Sequence, residues 1–332
     1  MAHISKCTSS KGYTVWLLLV AVCFGALLFS QTQPTSGTAA QVQKQFNSPK
    51  QAADALVEAA RDYDVPALLA IFGPNGRDFI SSADPVQDKN RAIDFAKQAS
   101  EKMSIAIDPK NSSRAILSVG EDNWPFPVPI VNSNGRWHFD DKAGHQEILF
   151  RRIGSNELDA IQICRRFVDA QIAYSMGIHD NSGVNQYAQK LFSGPGKHDG
   201  LYWENADGTP GGPISKAVAK AIEEGYTARA GTGYHGYYFK VLKGQGPDAP
   251  LGQLDYVIEG VMIGGFALVA VPVEYGVTGI KTFMVDYNGI VYQKDLGPES
   301  LNVVKEMERY NPDKTWQRTN DTWPSSVPAG EL

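Results

Sequence analysis

The sequence predicts an α+β protein in which N-terminal helices pack with a small antiparallel sheet, and a long helix then supports a four-stranded antiparallel meander. Three observations predict this class. Apolar residues recur at helical spacing over residues 48–102, strand-like runs separated by turn residues follow over residues 114–150, and four more strand-like runs follow residue 236. Helices followed by a series of strands, rather than strict alternation of the two, are typical of the α+β class.

Three amphipathic helices are predicted at the start of the folded region. Ser48 precedes a proline and a run of Ala, Leu and Val at helical spacing, which is typical of a helix with a serine N-cap and Pro in its first turn. The segment "DVPALLAIFGP" predicts a second, short helix that stops at Gly73-Pro74, and a third helix is expected from Asp84.

The hydrophobic period then changes to that of strands. Residues 114–120 ("RAILSVG"), 127–139 ("PVPIVNSNGRWHF") and 147–150 ("EILF") are predicted strands, with a hairpin turn at Ser133-Asn134-Gly135. Helices followed by such a sheet are similar to the cone-shaped folds of the nuclear-transport-factor-two-like kind.

A long helix over residues 156–176 is predicted to begin the second half, and a further helix is predicted over residues 213–226. Four strands then form the meander: "YYFKVL", "GGFALVAVPV", "GIKTFMVDY" and "GIVYQKD". This half loosely resembles the globular head of type IV pilin-like and pseudopilin proteins. Those proteins place the long helix directly after their export signal, whereas here a whole domain intervenes.

The run "GGFALVAVPV" is predicted to be the central strand of the meander, because neither of its faces carries a polar side chain. Both faces should therefore be covered. The helix over residues 156–176 is expected on one face, and either the first unit or the segment around Tyr202 and Trp203 on the other.

The N-terminus predicts export. Lys6 and Lys11 precede an uncharged apolar run over residues 15–29, and Thr38-Ala39-Ala40 offers a small-residue cleavage site. A cleaved signal peptide is favoured, and an uncleaved inner-membrane anchor through residues 13–30 is the alternative. Either way the bulk of the chain is expected in the periplasm or outside the cell. The predicted segments are a signal peptide or anchor with a polar linker (1–40), an N-terminal domain (44–152), a C-terminal domain (153–317) and a disordered tail (318–332).

Composition limits the classes of partner. The chain of 332 residues has a formal net charge of −5 and no long basic run, so no nucleic-acid partner is predicted. Cys164 is the single cysteine beyond the export segment, so an internal disulfide is not expected. It lies in a helical apolar pattern and is predicted to be a small buried side chain.

The string "GTGYHG" matches G-x-G-x-x-G at Gly231, Gly233 and Gly236. A phosphate-binding loop of this kind runs from a strand into a helix N-terminus. Here a predicted helix precedes the glycines and a predicted strand follows them, so no nucleotide partner is expected. The glycines are instead predicted to supply positive φ and close backbone approach.

Candidate site residues fall into two groups. His235 is the candidate catalytic residue, with Glu274 as a carboxylate that could orient it, and Tyr234 and Tyr237 beside it are candidate binding residues. The alternative for His235 is a loop histidine hydrogen-bonded among tyrosines.

The second group is Arg151, Arg152, Asn156 and Glu157, which lie at the predicted joint between the domains, where clefts commonly form. The alternative for this group is an interdomain salt-bridge network in which Asn156 caps the long helix. The six histidines are scattered, so neither a metal nor a cofactor is predicted.

Several longer motifs carry a family resemblance. They include "NWPFPVPIV", "ILFRRIGSNELDAIQ", "YHGYYFKVLKGQGPDAP" and "MIGGFALVAVPVEYGVTGIKTFMVDYNGIVYQKDLGP". Over residues 45–316 the chain resembles the bacterial secreted family catalogued as domain of unknown function 2950. The resemblance implies an envelope or secreted protein and supplies no catalytic residues.

The sequence therefore favours a non-enzymatic envelope protein that binds another envelope protein or a cell-wall component. Membrane contact is expected only through the N-terminal hydrophobic segment, if that segment is not cleaved. The alternative is a periplasmic hydrolase-like enzyme with its site at the domain joint or around His235.

Overall fold

The computed structural model describes residues 43–81, 84–180, 182–215 and 233–320. The described residues group into one compact unit. The predicted export segment, residues 216–226 of the predicted helix, Gly231 and residues 321–332 of the predicted tail lie outside the described residues. No helix in the described part of the chain is both long enough and apolar enough to cross a membrane.

The three predicted N-terminal helices are confirmed. They are α1 (Pro49–Arg61), α2 (Val65–Phe72) and α3 (Pro85–Glu101), with a 3₁₀ helix (Pro74–Phe79) between the last two. Ser48 Oγ accepts the Gln51 N–H at 3.1 Å, and Asp84 Oδ1 accepts two N–H groups of the first turn of α3. Gly73 ends α2 with φ of +83°. Side-chain caps of this kind satisfy the N–H groups that a helix start leaves unpaired.

An antiparallel sheet follows, with strand order β1-β2-β4-β5 and β3 alongside β2. Its strands are β1 (Met103–Asp108), β2 (Asn111–Val119), β3 (Trp124–Pro125), β4 (Ile130–Ser133) and β5 (Arg136–Phe139). The predicted hairpin turn is present, since Asn134 and Gly135 both have positive φ, at +55° and +79°. These values match the twist of a two-residue hairpin turn.

The predicted strand over residues 147–150 is wrong. Those residues belong to α4 (Asp141–Ser175), which begins fifteen residues before the predicted start at Asn156. The Asp140 side chain is its N-cap and accepts the Ala143 N–H at 3.0 Å. Asn156 is therefore inside the helix rather than its cap, and α4 runs without a break through the predicted domain boundary at residues 152 and 153.

The second half contains a small sheet and the predicted meander. The small sheet has order β6-β7-β8, and the meander has order β17-β16-β15-β14-β9 with all neighbours antiparallel. The four predicted meander strands are confirmed, and β17 adds a fifth. The elements are β6 (Lys190–Phe192), β7 (Gly200–Glu204), β8 (Pro210–Gly211), β9 (Tyr237–Leu242), β10 (Gly244–Gln245), β11 (Leu254–Asp255), β12 (Val257–Ile258), β13 (Val261–Met262), β14 (Ala267–Pro272), β15 (Lys281–Asp286), β16 (Tyr292–Asp295), α5 (Ser300–Glu306) and β17 (Gln317–Arg318).

Every residue of β14 is buried, as predicted, although β15 rather than β14 lies at the centre of the five strands. Helix α4 packs on β14 and β15, and α5 also packs on β14. Lys240, paired with Val269, donates from Nζ to the Lys305 carbonyl of α5 at 2.7 Å. Helix α5 therefore covers the second face of β14, which the sequence predicts to lie against either the first unit or the segment around Tyr202 and Trp203. Those two residues lie in β7, which packs against α4.

The buried apolar side chains form two clusters. One lies between α1 to α3 and the N-terminal sheet, and the other joins the second half of α4 to the meander. Helix α4 links the two regions as one continuous element.

Candidate functional site

A cleft of about 630 Å³ opens between the N-terminal helices and their sheet. We call it the N-terminal cleft. Its wall is formed by aliphatic side chains from α1, α2 and β2 and by aromatic rings from α2, α3 and the segment after β2. The larger apolar members are Leu56, Tyr63, Leu68, Phe72, Phe79, Ile80, Phe95, Val119, Trp124 and Phe126.

Phe126 is the centre of the aromatic wall. Its ring centroid lies 6.2 Å from Phe72, 5.2 Å from Phe95 and 6.4 Å from Trp124. Because residues two apart on an extended segment share a face, Trp124 and Phe126 both line the cleft. The Phe126 N–H donates to the Leu117 carbonyl at 2.7 Å, which fixes this segment beside β2. The motif "NWPFPVP" thus builds one side of the cleft.

Arg151, a predicted binding residue, holds Trp124 at the mouth of the cleft. Its guanidinium lies 5.3 Å from the Trp124 ring centroid, and Nη1 donates to the Pro125 carbonyl at 2.8 Å. Nε donates to Glu147 Oε1, also at 2.8 Å. A cation over an indole face is attracted by the ring quadrupole. Trp124 itself remains 46% exposed, so its other surface is accessible.

The other predicted residues of the joint do not line this cleft. Asn156 Nδ2 donates to the Thr278 carbonyl at 2.9 Å, and Glu157 Oε1 accepts the N–H groups of Ile280 and Lys281 at 2.9 and 3.0 Å. Both side chains thus connect α4 to the start of β15. Arg152 is exposed on α4 and forms no ion pair with any residue that the structure describes.

The carboxylate beside His235 is Asp159, not Glu274. His235 Nδ1 lies 2.9 Å from Asp159 Oδ2, and the Asp159 side chain is almost fully buried. Glu274 is exposed, and its backbone N–H donates to Thr278 Oγ1. Asp159 lies 76 residues from His235 in the chain, so no local pattern links the two.

The geometry around His235 has the first two members of a catalytic triad. In the described part of the chain, however, no hydroxyl or thiol is hydrogen-bonded to its ring, so the pair lacks an activated nucleophile there. Tyr234 lies edge-on to the imidazole, with ring centroids 4.3 Å apart. Tyr237 is buried and donates its hydroxyl to the Lys281 carbonyl at 2.8 Å. Burial, with a smaller contribution from Glu157, raises the Tyr237 pKa well above its usual value.

Gly233 and Gly236 have the positive φ predicted for them, at +56° and +74°. A Cβ at Gly233 would lie 2.6 Å from the Tyr237 carbonyl oxygen, and one at Gly236 would lie 2.5 Å from Asn156 Nδ2. The chain enters β9 directly after them, as predicted. Backbone conformation and close packing therefore account for both glycines.

A second, more polar cleft of about 600 Å³ lies beside the end of α4. Asp199 Oδ1 accepts the Gly194 N–H at 2.7 Å and Oδ2 accepts from Lys190 Nζ at 2.6 Å. Burial raises the Asp199 pKa, but the hydrogen bonds from Lys190 and Gly194 outweigh it, and the net pKa is lowered. The charges of Lys190 and Asp199 therefore neutralise each other in this cleft.

Cys164 is fully buried in the core between α4 and the meander, as predicted. Burial raises the pKa of its thiol, so the reactive thiolate is disfavoured. Among the residues that the structure describes, no three His, Cys, Asp or Glu side chains come close enough together to hold a metal ion.

Comparison with known proteins gives a family without an assigned activity. No curated protein and no solved structure matches the chain significantly. One family model, described as a protein of unknown function (DUF2950), matches residues 43–319. That match covers most of the chain, and the chain therefore belongs to the DUF2950 family.

Proposed function

We propose that this chain is an exported, non-enzymatic binding protein whose N-terminal cleft holds an apolar component of the cell envelope. The observation that carries the proposal is the aromatic wall around Phe126, which borders an open cleft rather than a closed core. Ligand sites are typically concave, mostly apolar and largely formed before the ligand arrives.

The size of the cleft suits a small molecule or one chain of a larger one. At about 25 cal/mol per Å² of apolar surface, covering roughly 200 Å² of wall and ligand would contribute about 5 kcal/mol. Part of that gain offsets the lost freedom of the two partners. The rings contact one another, so little further ordering is needed on binding.

Filling the cleft should weaken binding. Ala92 lines the cleft from α3 and is only partly buried, so an Ala92→Phe side chain would occupy ligand space. The probe is N-phenylnaphthylamine, a neutral apolar dye that fluoresces in apolar surroundings. We expect the Ala92→Phe variant to bind it at least about tenfold more weakly, because the loss of about 1.4 kcal/mol of binding free energy lowers an affinity tenfold.

The control is Ala173→Phe, the same change at an exposed position of α4 outside the cleft. It should bind the dye like the parent, and both variants should keep the parent melting temperature. The cleft is not the ligand site if the Ala92→Phe and Ala173→Phe variants bind the dye equally well, or if the parent does not bind it.

Export is the second part of the proposal and is supported by the apolar run over residues 15–29 after two lysines. Replacing Leu18 and Leu19 together by Arg introduces two charges into the apolar core of the leader, which is unfavourable for insertion by about 2.5 kcal/mol or more per charge. The variant should stay in the cytoplasm on cell fractionation, whereas replacement of both by Ile should be exported. Unchanged export of the Arg variant would contradict the proposed location.

A further inference from the structure

We propose that the ligand of the N-terminal cleft carries a positive charge beside its apolar body and is therefore a cationic amphiphile. This inference rests on the proposed function and adds the chemical class of the ligand. It follows from how charge and aromatic rings are distributed between the base and the rim of the cleft.

The base of the cleft is mostly apolar, and Asp88 is the buried carboxylate among the lining residues. Leu56, Leu68, Phe72 and Val119 line the base and are almost completely buried. A polar or charged ligand group placed against them would lose its hydration without gaining a hydrogen bond. The part of the ligand that reaches the base must therefore be apolar.

The rim is acidic. Three exposed carboxylates line the cleft against one guanidinium: Asp78, Asp94 and Asp122 against Arg91. Arg91 lies three residues from Asp88 and three from Asp94 on α3, so it offsets part of their negative charge, and the lining keeps a net negative charge. Clefts lined mainly by one sign of charge concentrate ligands of the opposite sign.

Two of these carboxylates are available to a ligand. Asp94 and Asp122 are exposed, and neither has an ion-pair or hydrogen-bond partner within the described ranges. They come from different elements, since Asp94 lies in α3 and Asp122 in the turn after β2. A cation at the mouth of the cleft would therefore meet negative charge from two sides.

Aromatic rings at the mouth reinforce the same preference. The Arg151 guanidinium, which is paired with Glu147, already lies 5.3 Å from the Trp124 ring centroid, so the exposed remainder of this ring is what a ligand cation would contact. Tyr63 also lines the cleft and presents a second ring to the ligand. Aromatic faces combined with carboxylates favour an ammonium group over a neutral or anionic one.

Three ligands of the same chain length test the inference. Decyltrimethylammonium, decanol and decanoate, kept below their micellar concentrations, would compete with the bound dye on the full exported chain. We expect the cation to bind tightest, decanol more weakly and decanoate weakest. The preference for the cation should shrink as salt is raised from about 0.01 to 0.15 M, because the Debye length falls from about 30 to 8 Å.

Two double variants distinguish the effect of the rim carboxylates from the effect of the net negative charge of the protein. The double variant Asp94→Asn with Asp122→Asn should bind the cation about 2- to 20-fold more weakly, because each exposed charge contact changes an affinity by about 1.5- to 5-fold. Its affinity for decanol should not change. Asp169→Asn with Glu306→Gln removes the same net charge at exposed positions outside the cleft and should leave all three affinities unchanged.

The outcomes distinguish this inference from the function on which it rests. If decanol binds as tightly as the cation, or the control pair weakens the cation as much as the rim pair, the cationic ligand is wrong and the apolar cleft stands. If none of the three compounds displaces the dye from the parent, the proposed function fails as well.

Discussion

Leu268→Asp should prevent the chain from folding. Leu268 is 1% exposed in β14, and every residue of that strand is buried between α4 and α5. Removing a buried leucine side chain costs about 2–5 kcal/mol, and the new carboxylate must either lie unpaired in an apolar interior or become protonated. Domains are stable by only about 5–15 kcal/mol, so the two effects together should remove most of that stability.

The measurement is urea unfolding monitored by circular dichroism. Leu251→Asp is the matched control, because Leu251 is 84% exposed and has φ of +71°, a conformation that Asp tolerates better than Leu. We expect the control to unfold like the parent and Leu268→Asp to lack a cooperative transition. A Leu268→Asp protein with the parent transition would contradict the burial of β14.

The meander could be predicted because several sequence signals agree there. Each of the four predicted runs contains β-branched or aromatic residues, and Asn288-Gly289 marks the last turn. The pairing partner of β14 on one side, β15, follows it directly in the chain, which is the arrangement that short connections favour. The small strand β17 was missed because a two-residue strand carries no period.

The start of α4 could not be predicted from the apolar run "EILF" alone. Four residues are too few to distinguish a strand from one turn of helix. In the structure Ile148 and Phe150 are both substantially exposed on α4, which a predicted core strand would not allow. The informative signal was Asp140, whose side chain caps the helix, followed by residues without a strong turn signal.

The candidate site was only partly visible in the sequence. The motif "NWPFPVP" suggested an aromatic surface, and Trp124 and Phe126 do line the cleft. Phe72 and Phe95 come from separate helices, however, and only the packing of α2 and α3 on the sheet brings them to Phe126. The same limit applies to Asp159 and His235, because side chains far apart in sequence meet through tertiary structure, which local patterns do not report.

Gly236→Val should be the second most damaging of the changes considered. Gly236 has φ of +74°, and a Cβ there would lie 2.5 Å from Asn156 Nδ2 and 3.0 Å from Thr278 Cβ. A non-glycine residue in this conformation costs about 1–3 kcal/mol, and displacing Asn156 also removes its hydrogen bond to the Thr278 carbonyl, worth about 1 kcal/mol. We expect a loss of about 2–4 kcal/mol in the free energy of unfolding, measured by urea unfolding.

Gly276→Val separates backbone strain from the contact with Asn156. Gly276 has nearly the same φ, +75°, but a Cβ there would meet nothing within 4 Å. This control should show only the strain, about 1–3 kcal/mol, so the Gly236 variant should be the less stable of the two. Adding Asn156→Ala to both variants should reduce the difference between their free energies of unfolding, because the smaller side chain leaves room for the valine at position 236. Equal stabilities of the Gly236 and Gly276 variants would mean that positive φ alone explains Gly236, and that its contact with α4 does not contribute to holding the loop before β9.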